Sequence, residues 1–170
     1  MEKSGLFEKM EDQSAPERMN KPPRPEWDEK VDASANAEKF LPALVAGYFQ
    51  KGREILANNP APPELHALRL ATKSLRYTLE LFRPCYGPGL VERLDALRSL
   101  QQVLGEINDT AAAARLVGRR KSAEARKVKG FLETRRAAKS EEFRNRWTEF
   151  DAPGKEHWWT HYLAHNARKP

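Results

Sequence analysis

Between Pro62 and Pro84 the chain reads PPELHALRLATKSLRYTLELFRP, and no other stretch restricts the fold as much. Its apolar residues recur at helical spacing and prolines bracket it, so it predicts one helix. At about 100° per residue, His66, Arg69, Lys73 and Arg76 fall in a single arc roughly 80° wide. Arg83 extends this row near the helix end. Leu68, Leu75, Leu79 and Phe82 lie on one flank of the row, and Leu70, Tyr77 and Leu81 on the other. A surface helix ordinarily keeps its charges opposite the apolar stripe. Cations held between two packing faces lose hydration and need a counter-charge. Glu64 precedes the row and Glu80 is read as pointing elsewhere, so the expected partner is a polyanion from outside.

The neighbouring segments predict further helices and no sheet, since no alternating β-branched run occurs. Ser34 or Asn36 is the expected cap of a first helix, with Pro42 in its opening turn and Phe40, Leu41, Leu44, Val45, Tyr48, Ile55 and Leu56 on its apolar face. NNPAPP, residues 58–63, ends it. After the turn Tyr86-Gly87-Pro88-Gly89, a third helix opens at Leu90, its apolar arc built from Leu90, Leu94, Leu97, Leu100, Leu104 and Ile107. Arg93, Gln101 and Asn108 fall inside that arc. The two amides either satisfy each other or line a polar interior surface; Arg93 is read as an anion contact. Gly105 costs a helix interior about 1 kcal/mol relative to Ala, so close approach of another helix is expected there.

A fourth helix, about Ser122 to Phe150, places Val128, Phe131, Leu132, Phe143, Trp147 and Phe150 on an apolar face, with Arg135, Lys139 and Arg146 in the same arc. This repeats the pattern of the central helix. Arg119-Arg120-Lys121 reads as solvated basic surface. His157, His161 and His165 stand at i, i+4 and i+8, but neither a carboxylate nor a cysteine completes a zinc set, so no metal site is expected. Trp158, Trp159 and Tyr162 should cap the core. The fold class is therefore all-α: an antiparallel bundle of about four long helices over 33–170, with a short C-terminal helix. Residues 1–32, rich in Lys, Glu and Pro, read as a loosely attached tail that Trp27 could pin to the domain.

Charge is distributed unevenly. The net is +6, yet residues 1–32 hold six Lys/Arg against nine Asp/Glu, and residues 33–170 hold 24 against 15. The part expected to fold is the basic part, which favours an anionic partner. Walker loop, nucleophile elbow and clustered carboxylates for magnesium are not found, so neither catalysis nor a cofactor is expected. No apolar run approaches the ~18–20 residues of a membrane span and no signal-peptide core precedes the domain. With Cys85 the one cysteine, the expected location is the cytoplasm, without membrane association.

The residues also resemble a known family. His66, Arg69, Lys73 and Arg76, followed by Leu100, Gln101, Leu104, Gly105 and Asp109, are similar to the H-x-x-R-x-x-x-[KR]-x-x-[LR] helix and the L-Q-x-x-L-G-x-x-x-D helix of the CHAD (conserved histidine α-helical) domains. The likeness is read over roughly residues 60 to 160. It implies an all-helical protein that binds inorganic polyphosphate through basic side chains and is not an enzyme, with location at polyphosphate granules a further implication. Asp109 is the acidic residue of the second motif, expected to orient a cation of the row. Family members usually carry two such repeats related by a pseudo-twofold axis, whereas this sequence has one His-x-x-Arg helix, most like the second half. If two repeats wall the channel, a homodimer is expected. The competing readings are a nucleic-acid-binding helical protein and an accessory subunit of a polyphosphate- or triphosphate-processing enzyme. Against nucleic acid, the cations sit amid apolar residues and the aromatics look like core.

Overall fold

A computed structural model describes residues 27–168. The tail assignment falls mostly on residues 1–26 and lies outside the described residues. Among the described residues six helices follow in order: α1 (Ala33–Leu56), α2 (Pro62–Leu81), the single turn α3 (Arg83–Tyr86), α4 (Gly89–Gly118), α5 (Ala123–Phe150) and α6 (Lys155–His165). Among the described residues there is no strand, and the fold is an all-α bundle of four long helices with a short C-terminal one.

Local chemistry sets the boundaries. Asp32 caps α1, its carboxylate accepting from the Ala35 amide at 2.9 Å. The cap is thus neither Ser34 nor Asn36. Asn36 instead donates to the Asp28 carbonyl at 2.9 Å and accepts from the Asp28 amide at 2.9 Å, holding the chain that enters the helix. Pro42 stands inside α1 rather than in its first turn. Prolines open α2, and Glu64 reaches back to the Ala61 amide at 2.6 Å. Gly87, at φ 64°, turns the chain between α3 and α4, a conformation that favours glycine.

α4 is central, with α2 antiparallel on one side and α5 antiparallel on the other. His66 meets Asn108 and Arg76 meets Gln101, while Glu106 meets Lys139 and Ser99 meets Arg146. The leucines expected inside are inside: Leu68, Leu75 and Leu79 of α2, and Leu90, Leu94, Leu97, Leu100 and Leu104 of α4. α1 closes the core with aromatic rings. Phe49 stacks on Phe150 at 4.7 Å between centroids and meets Trp159 edge-on at 6.0 Å. Such pairs add about 0.5–1.5 kcal/mol each beyond area burial. The Trp147 ring lies where a Cβ on Gly52 would stand, so the indole of α5 packs directly on the α1 backbone there. Near that contact, Arg53 of α1 holds Asp151 and, at 2.6 Å, Glu156.

Two ties fasten the C-terminal helix. Tyr86 donates to the Leu163 carbonyl at 2.6 Å, and Tyr162 donates to the Tyr86 carbonyl at 2.7 Å. Trp159 is buried as a core cap, but Trp158 is 41 % exposed. The Trp27 ring, 6.2 Å from that of Phe82, rests against the end of α2.

Candidate polyanion-binding surface

The row on α2 forms a surface along the α2–α4 seam. His66 is exposed, whereas Arg69, Lys73 and Arg76 are half-buried. Only one flank packs as expected. Leu70, Tyr77 and Leu81 are exposed at 46, 47 and 77 %, so the row borders the core on one side and open surface on the other. The cations are therefore partly dehydrated but not enclosed.

Each row residue meets different surroundings. The His66 Nδ1 lies 2.8 Å from the Asn108 Oδ1. An amide oxygen only accepts, so Nδ1 carries the proton and Nε2 is left for another partner. Arg76 donates through Nε to Gln101 at 2.8 Å and through Nη1 to Glu80 at 2.6 Å. The two inward amides thus serve α2 rather than each other. Glu80, read from sequence as pointing elsewhere, is a shared counter-charge, because Arg98 of α4 also reaches it at 3.0 Å. Arg98 then bonds Asp95 at 2.6 Å. The i,i+4 spacing of Arg76 and Glu80 was the available signal; Arg98 had none, being one exposed arginine among many.

Arg69 differs from its neighbours. Its Nε is buried without a hydrogen-bond partner, and its guanidinium makes no ion pair among the described residues. Lys73 has no carboxylate among them either; its ammonium stands 5.5 Å from the Tyr77 ring centroid, and Arg76 stacks over the same ring at 4.4 Å. Asp109 is exposed and holds no cation of the row among the described residues. Gly105 is not a point of forced approach, since among the described residues a Cβ there would meet, beyond its own helix backbone, only the Arg69 Nε, at 4.0 Å.

On the other side of α4, Lys139 binds Glu106 at 2.7 Å and Glu142 at 2.8 Å. Arg146 binds Glu142 at 2.7 Å and donates to Ser99 at 2.6 Å. Lys139 and its hydrogen bonds hold both carboxyls below the usual glutamate range, and the two carboxylates raise Lys139 in turn. Both cations are thus engaged, in a ladder clasping α4 to α5. Arg135 and Arg83 are exposed, one on α5 and one in the α3 turn.

Arg93 belongs elsewhere. At 2 % exposure it lies between α4 and α6, its guanidinium carbon 3.6 Å from the Trp158 ring centroid and 3.8 Å from that of Tyr162. It donates to the carbonyls of Gly89 at 2.8 Å and Trp158 at 3.2 Å. Burial lowers its pKa from the ordinary arginine value. These contacts make it a fastener of α6, closed off from the α2 row, although its Nε, like that of Arg69, is buried without a hydrogen-bond partner among the described residues. The three α6 histidines form an exposed stack, with ring centroids 5.7 and 4.4 Å apart.

Comparison with protein families matches the CHAD domain to residues 6–118. The match takes in most of the N-terminal segment and ends with α4, whereas the sequence likeness was read over roughly 60 to 160. No curated protein and no solved structure matches the chain.

Proposed function

The chain belongs to the CHAD-domain family, and on that footing we propose that it binds inorganic polyphosphate along the α2 row, as a binding module rather than an enzyme. The observation that carries this reading is the half-buried Arg69, whose Nε has no acceptor among the described residues. Leaving a buried donor unpaired costs about 1–3 kcal/mol, and a ligand oxygen would offset that cost. Among the described residues, Lys73 beside it is likewise without a carboxylate, and the His66 Nε2 has no hydrogen-bond partner. A linear polyphosphate presents closely spaced oxyanions and no bases, which suits guanidinium forks and a lysine point charge.

The binding set is then His66, Arg69, Lys73 and Arg76, with Arg83 at the end of the row. Lys139, Arg146 and Arg135 on α5 form a second cationic set across α4 that a long polymer would reach after the first.

The test is a titration of long-chain polyphosphate at physiological salt, with duplex DNA and single-stranded RNA as competitors. Wild type is run beside Arg69→Ala/Lys73→Ala/Arg76→Ala. Binding that the triple change abolishes and nucleic acid does not displace supports the reading. Unchanged binding by the triple variant, or displacement by nucleic acid, overturns it.

A further inference from the structure

α4 and α5 run on together past the rest of the bundle. His66, near the start of α2, pairs with Asn108, yet α4 continues to Gly118, about 15 Å further at 1.5 Å per residue. Over this extension the buried residues are small: Thr110, Ala111 and Ala114 of α4, and Ala125 of α5. They make a seam between two helices with no core beneath.

Three large apolar residues of this hairpin face solvent, while Val117 and Leu132 are half-buried. Leu116 is 67 %, Phe131 64 % and Val128 47 % exposed. All three lie past the level of Asn108, in the outer end of the hairpin. Leu116 lies 18 residues from the exposed Arg98, about five turns, on the outward side of α4. Val128 and Phe131 are i,i+3 neighbours, with Val128 in phase with Lys139 to within roughly 20°. Residues 115–136 carry nine Lys/Arg against two Asp/Glu, a net of +7. Lys129 pairs with Glu133 at 3.6 Å; Arg119, Arg120, Lys121, Arg126 and Lys127 have no ion pair among the described residues.

We infer that the tip of the α4–α5 hairpin docks on an anionic lipid surface. Charge complementarity brings the +7 tip to the headgroups, and Leu116, Val128 and Phe131 enter the acyl boundary, as exposed apolar residues set among cations do at interfaces. Nucleic acid is the poorer occupant because Leu116 and Val128 offer bases no stacking face. Free polyphosphate would leave all three apolar side chains in water. The site is separate from the α2 row and does not depend on it.

The test is co-sedimentation of the full chain with phosphatidylcholine vesicles, with and without phosphatidylglycerol. Binding is expected only with phosphatidylglycerol and should weaken as salt rises. Leu116→Ser/Val128→Ser/Phe131→Ser should reduce partitioning by about tenfold or more, while polyphosphate titration of the same variant is unchanged. As a readout that keeps two of the three side chains, the emission of F131W should shift to the blue on adding these vesicles. Failure to bind phosphatidylglycerol vesicles overturns the inference. So does a triple-serine variant that binds them as wild type does, or an equal loss in Arg69→Ala/Lys73→Ala/Arg76→Ala, or displacement of the vesicles by duplex DNA.

Discussion

The Nε of Arg69 lies 4.0 Å from the place a Cβ on Gly105 would take, and among the described residues nothing outside the adjoining turns of α4 comes closer. Alanine therefore fits at Gly105, and Gly105→Ala should stabilise the protein by about 1 kcal/mol through helix propensity. A longer side chain would lie over Arg69, so Gly105→Leu should weaken polyphosphate binding. Urea unfolding and ligand titration of both variants check the pair of outcomes. Destabilisation by Gly105→Ala would mean the helices meet there after all.

Glu80 restrains two guanidiniums, those of Arg76 and Arg98. Glu80→Gln should raise polyphosphate affinity, by up to about tenfold, because a charge-assisted bond no longer competes for Arg76. Calorimetric titration measures this directly. A lower affinity would show that Glu80 positions Arg76 for the ligand rather than withholding it.

Arg93 supplies the opposite case, a cation whose work is internal. Arg93→Ala should cost about 3 kcal/mol, from the lost hydrogen bonds, ring contacts and volume. Arg93→Met should recover most of that, since an apolar side chain carries no desolvation penalty. Near-ultraviolet circular dichroism should report the loosened Trp158 in the alanine variant. Polyphosphate affinity, measured well below the melting temperature, should not change.

Acid should loosen the α4–α5 clasp. Lys139 makes Glu106 and Glu142 more acidic in the folded protein than in the unfolded chain. Their contribution is complete above the ordinary glutamate value of about 4.3 and fades as pH falls through the depressed folded values. Melting curves from neutral to about pH 3 should therefore bring wild type and Glu106→Gln/Glu142→Gln together at the acid end. A gap that persists there would exclude the ladder as its source.

Much of this was legible in the residue pattern because helical periodicity is a local signal. The row from His66 to Arg76, the leucine arc of α4 and the aromatic face of α5 need no knowledge of neighbours. The caps were less legible. Asp32, Ser34 and Asn36 are all competent capping residues, and only the path of the incoming chain selects Asp32. Counter-charges were least legible, since Arg98 and Glu106 acquire their partners from other helices. Arg93 shows the same limit: its phase on α4 was read correctly, but the rings that enclose it arrive from α6, more than sixty residues later.

The pairing of Arg76 with Glu80 bears on ionic strength. Binding a polyanion normally frees one condensed counterion for each cation engaged, and the logarithm of affinity falls with the logarithm of salt accordingly. A guanidinium already neutralised within the fold has little screening atmosphere to exchange. Counting basic side chains along α2 and α5 therefore overstates the salt slope: Arg69 and Lys73 contribute in full, while Arg76, Lys139 and Arg146 contribute only after surrendering an internal carboxylate.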